Sequence, residues 1–301
     1  MNGILIVNKE RGFTSHDVVA KLRGILHTKK IGHTGTLDPD AVGVLPVCIG
    51  KATKVCGLLT DTDKSYEAVI RFGVKTDTLD MTGTVLKTQP VLITKEQLVE
   101  ALAAFVGEIE QIPPMYSAVK VNGKRLYELA RQGQEVERKK RTVTIHELTL
   151  LSENLAQSEC SVRVRCSKGT YIRTLCSDIG DRLGCGAAMK SLIRTRAGGF
   201  EIGQAKTLSE IEQYCRSKDA EGLLLPVDSV FQAYGSGRVK SEWMQHLKNG
   251  NPLPNTGICL DGIYPSDGER LRIYGDDGSF YAIYRYEEDN LMYRVVKMLH
   301  E

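Results

Sequence analysis

The sequence has no long apolar run, no paired metal-ligand motif and no glycine-rich nucleotide loop. No stretch approaches the roughly 18 apolar residues that a membrane-spanning helix needs, and the short apolar start gives no sign of a targeting segment. The eight cysteines form no Cys-x-x-Cys pair and the six histidines are scattered, whereas a zinc site needs clustered ligands. We therefore expect a cytoplasmic protein with reduced thiols, no membrane contact and no metal ion.

The overall net charge of +3 conceals three basic segments. Residues 1–60, 112–141 and 160–199 carry net charges of +4, +5 and +6. Clustered positive charge is typical of a protein that binds a nucleic-acid backbone, although a solvated face would account for any one cluster alone. Residues 200–301 carry eleven basic and sixteen acidic residues. Because an acidic surface binds RNA poorly, we expect this last segment to make only accessory contacts.

Hydrophobic periodicity predicts a mixed α+β fold. Strands are predicted at residues 4–7, 44–49, 66–72, 142–151 and 160–166. Helices are predicted after the caps Ser15 and Thr94, and from Ala52, Lys124 and Ile172 onward. This order predicts a central, largely antiparallel mixed sheet. Gly235-Ser236-Gly237 is predicted to be a hinge. The alternating segments at 271–274, 280–284 and 295–296 then predict a small β-barrel.

The most informative segment is the run Gly32-His33-Thr34-Gly35-Thr36-Leu37-Asp38-Pro39-Asp40-Ala41-Val42-Gly43-Val44-Leu45-Pro46-Val47. It sets Asp38 on a loop before an apolar stretch, and such loops are where reactive side chains are usually presented. Glycines at 32, 35 and 43 allow close backbone approach, and Pro39 favours an extended Asp38. Judged by spacing alone, a turn-forming role fits Asp38 at least as well as a catalytic one.

Further motifs accompany this run. They are Asn8-Lys9, Lys64-Ser65-Tyr66, Gly73-Val74-Lys75-Thr76-Asp77-Thr78 with Asp80, Pro113-Pro114-Met115-Tyr116-Ser117-Ala118-Val119-Lys120, and Cys166-Ser167-Lys168-Gly169-Thr170-Tyr171-Ile172-Arg173. Together with the run at 32–47, the set resembles TruB-type tRNA pseudouridine synthases, which isomerise the T-loop uridine at tRNA position 55. The similarity is dense from about residue 3 to residue 200 and thinner afterwards.

For the chemistry, the resemblance implies three catalytic residues. Asp38 would be the nucleophile, Arg173 would keep its carboxylate charged and oriented, and Tyr66 would stack on the target uracil and relay a proton. Attack at C1′ and elimination to a glycal are both compatible with one aspartate. The isomerisation changes no oxidation state and imports no group, so no cofactor is implied. Without the resemblance, Tyr66 would be assigned to the core and Arg173 to the surface or to a phosphate contact.

The resemblance also implies how the uridine is extruded from its folded loop. His33 would fill the vacated place in the RNA, and Tyr171 and Leu192 would contact the flipped base. Extrusion costs a few kcal/mol, and one base–aromatic stack returns about 1–3 kcal/mol. Without the motif, His33 would be assigned a structural hydrogen bond, and Leu192 the core.

The segment 112–141 resembles the RNA-clasping insertion of the family and is predicted to order on RNA. Backbone phosphates are predicted to meet Lys54, Lys120, Lys124, Arg125 and Arg131. The predicted organisation is a catalytic domain at 1–235 with this clasp, followed by an RNA-contacting PUA-like barrel at 236–301. The expected partner is the T-arm stem-loop of tRNA, bound by a monomer that requires no protein partner.

One departure from the family pattern and three alternatives remain. Glu10 stands where the family usually has proline, which predicts a less rigidly oriented Lys9.

An RNA chaperone that folds the T arm without chemistry is one alternative; it would not need Asp38, Tyr66 and Arg173. A guide-RNA-dependent synthase of the dyskerin type is another; such enzymes lack the clasp. A phosphate-binding glycine loop at 32–35 is the third, but no Gly-Lys-Ser/Thr follows it.

Overall fold

The computed structural model describes residues 1–121 and 123–299. The strands are β1 (Gly3–Lys9), β2 (Ile31–His33), β3 (Val42–Ile49), β4 (Lys64–Phe72), β5 (Val74–Thr76), β6 (Val85–Thr88), β7 (Gly107–Gln111), β8 (Lys120–Val121), β9 (Lys124–Arg125), β10 (Arg141–Asn154), β11 (Glu159–Cys166), β12 (Ala187–Ala197), β13 (Phe200–Glu201), β14 (Gly235–Val239), β15 (Leu253–Pro254), β16 (Ile258–Leu260), β17 (Arg270–Tyr274), β18 (Phe280–Glu287) and β19 (Met292–Met298). The α-helices are α1 (Ser15–Ile25), α2 (Cys56–Thr60), α3 (Lys95–Ala103), α4 (Leu126–Arg131), α5 (Ile172–Arg182), α6 (Leu208–Ser217) and α7 (Met244–Lys248). Short 3₁₀ turns cover Gly50–Val55, Leu155–Gln157, Ile202–Gln204, Ala220–Leu223, Val227–Phe231, Ser241–Trp243, Asn255–Gly257 and Glu288–Asn290.

The larger sheet has the strand order β1-β3-β12-β4-β11-β10-β7, with β2 beside β3 and β13 beside β12. Among the described residues, β3 and β12 pair in parallel and the other neighbours run antiparallel. The predicted α+β fold with a largely antiparallel mixed sheet is therefore confirmed. The central strand β4 buries every second residue, and this face packs under α5 in one hydrophobic cluster.

Helix α1 begins one residue earlier than predicted. Thr14, not Ser15, is the N-cap: its Oγ1 accepts from the Asp17 amide at 3.0 Å, and Asp17 Oδ2 accepts from the Thr14 amide at 2.8 Å. Ser15 is buried, and its Oγ accepts from the Leu37 amide at 2.9 Å. The residue predicted to cap the helix therefore joins α1 to the loop that carries Asp38.

Two other predicted helices differ in extent, while those predicted at Thr94 and Ile172 match α3 and α5. The helix predicted from Ala52 is a 3₁₀ turn followed by α2, and the one predicted from Lys124 begins at Leu126 because β8 and β9 form a hairpin. Thr94 caps α3 as predicted, through a reciprocal bond pair with Gln97.

The second sheet has the order β15-β19-β18-β17-β14-β16. It contains the strands predicted at 271–274, 280–284 and 295–296, which supports the barrel-like prediction. The predicted hinge at 235–237 is wrong, because these residues form β14 and are hydrogen-bonded to β16 and β17. A Cβ on Gly237 would lie 2.7 Å from Ile258 Cγ2. At Gly237 close packing accounts for the glycine, so flexibility is not needed to explain it.

The two sheets pack against each other. Ile283 and Leu299 share a hydrophobic cluster with Ile4, Ile6 and Phe231 from the other part of the chain. A boundary at residue 235 thus stays a prediction. No helix within residues 1–121 and 123–299 is long and apolar enough to cross a membrane.

Candidate active site

A cavity of about 480 Å³ opens where the loop after β2, the strands β4 and β12, and the start of α5 meet. Five of the predicted site residues line it, namely Asp38, Tyr66, Tyr171, Arg173 and Leu192. Asp38 and Tyr66 lie more than a hundred residues before Tyr171, Arg173 and Leu192 in the sequence. A cavity of this size accommodates a small ligand or an extruded base.

Asp38 and Arg173 form a bidentate ion pair at this cavity. Arg173 Nε lies 2.9 Å from Asp38 Oδ2, and Nη2 donates to Oδ1 at 3.2 Å. Burial raises the pKa of Asp38, and the nearby Asp80 adds to this rise, while the Arg173 guanidinium opposes it. The Asp38 side chain is still 37% exposed. The pair therefore presents an oriented carboxylate to the cavity.

The Arg173 guanidinium is itself fixed by backbone carbonyls. Arg173 is 6% exposed. Its Nη1 donates to the Thr78 carbonyl at 3.0 Å, and its Nη2 donates to the Tyr116 carbonyl at 2.8 Å. Asp80 Oδ2 lies 3.7 Å from Nη1. Arg173 is the second residue of α5. Without the resemblance it would have been assigned to the surface, but here it is buried among acceptors.

The Asp38 loop is held on several sides. The Asp38 carbonyl accepts a hydrogen bond from the Ala41 amide at 3.1 Å. This hydrogen bond is typical of a four-residue β-turn that begins at Asp38. Lys9 is fully buried, and its Nζ donates to the carbonyls of Glu10 at 3.1 Å, Phe13 at 2.6 Å and Pro39 at 3.0 Å. The expectation that Glu10 leaves Lys9 loosely oriented is wrong, because these three acceptors fix the ammonium group. Asp38 thus both begins a turn and faces the cavity.

Tyr66 and its neighbours form the wall of the cavity. Tyr66 is 9% exposed on β4, and burial raises the pKa of its phenol. Tyr171 is clamped by Gln111, whose Oε1 accepts from the Tyr171 amide at 2.9 Å and whose Nε2 donates to the Tyr171 carbonyl at 3.2 Å. Leu192 is buried on β12. Each of these side chains contributes apolar or aromatic surface that suits a nucleobase.

His33 lies at the end of β2, outside the set of residues that lines the cavity. Its ring contacts the His16 ring edge-to-face, with centroids 6.0 Å apart, and Nδ1 lies 3.2 Å from the Gly35 carbonyl. Burial lowers the pKa of the imidazole, which favours the neutral ring. The structure therefore separates His33 from the other predicted contacts to the base.

The clasp reaches the cavity through Ser117, Ala118 and its last residue, Arg141, but not through the cations predicted to bind phosphates. Ser117 and Ala118 line the cavity, next to the Tyr116 carbonyl that binds Arg173. The predicted phosphate-binding residues are outside the cavity wall: Lys120, Lys124, Arg125 and Arg131 are exposed, and Lys54 is half-buried in a 3₁₀ turn. Arg125 Nη1 donates to the Tyr127 hydroxyl at 3.0 Å, and the Arg131 guanidinium lies 5.5 Å from the centroid of that ring.

Sequence reasoning missed Arg194, a cavity residue on β12 that is 2% exposed. Its Nε donates to the Val44 carbonyl at 2.7 Å. An arginine on the same strand face as the buried Leu192 was the available signal, because alternate residues share a face. Among residues 1–121 and 123–299, no cluster of histidine, cysteine or acidic residues is arranged to hold a metal ion.

Comparison with known proteins agrees with this geometry. The family model "TruB family pseudouridylate synthase (N terminal domain)" matches residues 23–172, and "tRNA pseudouridylate synthase B C-terminal domain" matches residues 173–232. A protein from Lachnoclostridium phytofermentans named "tRNA pseudouridine synthase B" is 50% identical, covering 99% of each chain. The chain belongs to the TruB family of pseudouridylate synthases. It is therefore a pseudouridine synthase enzyme, as the resemblance implied.

Other members of this family and solved structures are similar over almost the whole chain. The "tRNA pseudouridine synthase B" of Alkaliphilus oremlandii is 43% identical over 100% of this chain and 99% of its own. The crystal structure of a Cbf5-Nop10-Gar1 complex contains a chain with a TM-score of 0.75 and 26% identity, matched over 99% of this chain and 84% of that one. An H/ACA RNP bound to a substrate RNA containing 2′-deoxyuridine gives a TM-score of 0.74 at 24% identity, over 99% and 85%. These similarities support the pseudouridine-synthase fold.

Proposed function

We propose that this TruB-family enzyme converts the T-loop uridine at position 55 of tRNA to pseudouridine. The relatives that are 43–50% identical over nearly their full length are named tRNA pseudouridine synthase B, which favours tRNA as the substrate. The observation that carries the proposal is the bidentate Asp38–Arg173 pair at a cavity lined by Tyr66 and Leu192. Nothing in a purely RNA-binding role requires an oriented carboxylate there.

In the proposed reaction, Asp38 is the nucleophile and Arg173 holds it. The N1–C1′ bond of the uridine breaks, the uracil rotates, and a C5–C1′ bond forms while C5 loses its proton and N1 gains one. The bond that Asp38 forms with the nucleotide is broken again before the product leaves. Every atom of the product comes from the substrate apart from protons, so the reaction requires no cofactor. Arg173 favours the carboxylate form of Asp38 and fixes its oxygens. Tyr66 lies at the cavity wall, where its ring can stack on the uracil and its hydroxyl can exchange the proton.

The uridine must leave its folded loop to reach the cavity, and we assign that step to His33 together with the cavity wall. Stacking on Tyr66 returns about 1–3 kcal/mol, which is comparable to the few kcal/mol that extrusion costs. Filling the vacated place with a neutral imidazole supplies a further gain. His33 lies outside the cavity lining, on the strand that leads into the Asp38 loop, and this position suits insertion into the RNA while the base enters. Tyr171 and Leu192 then contact the base.

We further propose that the clasp at 112–141 closes over the T arm with its exposed cations towards the phosphates, aided by Lys54. The catalytic part comprises residues 1–235, and the acidic PUA-like part at 236–301 makes accessory RNA contacts. The enzyme acts in the cytoplasm as a monomer, without a protein partner. The solved relatives with a similar fold occur in complexes with Nop10 and Gar1, so a guide-dependent mode is the alternative to exclude.

The test uses a T-arm stem-loop whose target uridine carries tritium at C5, because pseudouridine formation releases that tritium to water. We expect the purified chain alone to release it, and a stem-loop that carries its tritium at a uridine outside the target position to release none. Binding without release would support an RNA chaperone instead. Release that requires a second, guiding RNA would support the dyskerin-type mode.

A further inference from the structure

Arg194 is a buried cation in the cavity wall, beside both halves of the proposed catalytic machinery. On β12 it lies opposite Tyr66 of β4 and opposite Gly43 of β3. It is 2% exposed. An arginine carries a fixed charge and is seldom buried unless its donors are used. Its position between the strand of Tyr66 and the strand that follows the Asp38 loop therefore calls for an explanation.

Two of its nitrogens bind the backbone around the Asp38 loop. Nε donates to the Val44 carbonyl at 2.7 Å, and Nη1 donates to the Thr36 carbonyl at 3.4 Å. Gly43 lets the backbones of β3 and β12 approach closely at Arg194, because a Cβ there would lie 2.3 Å from the Arg194 carbonyl oxygen, at a φ of +106°. The guanidinium is thus fixed relative to the residues that flank Asp38.

The third nitrogen is the informative one. Nη2 is buried, and within the described part of the chain it has no hydrogen-bond partner. A buried donor without a partner lowers the stability of the folded protein. Strand pairing sets Arg194 directly opposite Tyr66. Burial raises the pKa of the Tyr66 phenol, and the charge of the Arg194 guanidinium opposes that rise. Cys166 of β11 and Asp38 are the other titratable groups near this phenol, and both raise its pKa.

We propose that Arg194 is a positioning residue that fixes the phenol oxygen of Tyr66 relative to the Asp38 loop during catalysis. The two backbone bonds set the guanidinium in place, and the remaining donor is directed at the group that exchanges the substrate proton. The proposal rests on the role assigned to Tyr66 under the proposed function. A packing role alone would leave the unused Nη2 donor unexplained.

A double-mutant cycle tests this proposal, with pseudouridine formation measured in single-turnover reactions. In the protein that keeps Tyr66, Arg194→Met should slow the reaction about 100-fold, which is the cost of misplacing a reacting group. In the Tyr66→Phe variant, the same substitution should change the rate by less than about 3-fold. Arg194→Lys should be intermediate and serves in the cycle if Arg194→Met does not fold. Arg196→Met, at an exposed position on the same strand, should leave the rate unchanged. Equal losses in both backgrounds would overturn the proposal.

An independent measurement is the titration of the Tyr66 phenol, followed by NMR with ¹³Cζ-labelled tyrosine and assigned with Tyr66→Phe. Removing the guanidinium in Arg194→Met should move the midpoint to higher pH, and Arg194→Lys should move it less. An unchanged midpoint in both variants would contradict the proposal, even if the cycle showed coupling. If the wild-type protein makes no pseudouridine, the proposed function fails, and this titration still decides whether Arg194 acts on Tyr66.

Discussion

Arg173 and Asp38, which are 135 residues apart in sequence, meet through two bonds of 2.9 and 3.2 Å. The same guanidinium also binds the Tyr116 carbonyl at 2.8 Å, at the start of the clasp. One side chain thus connects the proposed nucleophile with the segment proposed to hold the RNA. Movement of the clasp and orientation of the carboxylate are therefore physically linked, because both depend on the position of the Arg173 guanidinium.

Replacing Arg173 should impair activity most at acidic pH. The guanidinium lowers the pKa of Asp38 against the larger effect of burial, so Arg173→Met should raise that pKa further. Since Asp38 must be ionised to act, activity is lost as the pH falls through its pKa, and the acidic limb of the rate profile should move to higher pH. We also expect a loss of about 100-fold at the optimum, because the carboxylate is no longer oriented.

The matched control for this prediction is Arg182→Met, which removes an exposed arginine from the same helix, α5. The measurement is the single-turnover rate across the pH range for both variants. An acidic limb at the wild-type pH in Arg173→Met would show that the guanidinium does not control ionisation of Asp38.

Binding of tRNA should weaken steeply as salt increases. Each phosphate neutralised by the protein contributes about 0.7–0.9 to the slope of log affinity against log salt concentration. The clasp variants Lys120→Ala and Lys124→Ala should each reduce the slope by about that amount. Lys248→Ala, in the acidic final part of the chain, should reduce it less. Equal slopes for the wild type and both clasp variants in filter-binding titrations would argue against the clasp contacts.

Gly43 should not tolerate a side chain. In Gly43→Ala the new Cβ meets the Arg194 backbone, and the residue has a φ of +106°, so we expect a loss of about 2 kcal/mol in the free energy of unfolding. Gly24 lies in α1 with open space around its Cβ position. Gly24→Ala should therefore stabilise the protein by about 0.5–1 kcal/mol. Urea unfolding measures both, and wild-type stability in Gly43→Ala would show that β3 and β12 separate easily.

Local pattern alone predicted most of the fold. Alternation along 66–72 predicted β4 because a half-buried strand has to alternate, and Thr94 predicted α3 because its side chain satisfies free helix amides. The glycines at 235–237 were misinterpreted as a hinge. The close packing of Gly237 in β14 depends on Ile258, a neighbour that only the folded sheet supplies.

The candidate site was less accessible to local reasoning. Asp38, Tyr66, Arg173, Tyr171 and Leu192 were predicted through the family resemblance. From the residues alone, a turn fitted Asp38 at least as well, Tyr66 and Leu192 belonged to the core, and Arg173 belonged to the surface or a phosphate contact. Arg194 was missed, because its significance comes from strand register: only the pairing of β12 with β3 and β4 brings it to Gly43 and Tyr66. Ser15 was misplaced for the same kind of reason, as its partner Leu37 lies on a distant loop.

The most direct test of the central claim is Asp38→Asn, assayed for pseudouridine in a T-arm stem-loop with enzyme in excess. Asparagine keeps the size and one acceptor for Arg173 but cannot act as the nucleophile, whereas Asp40→Asn changes an exposed carboxylate on the same loop. We predict that Asp38→Asn binds the RNA and forms no pseudouridine, while Asp40→Asn reacts at the wild-type rate. Pseudouridine formed by Asp38→Asn at the wild-type rate would contradict the account.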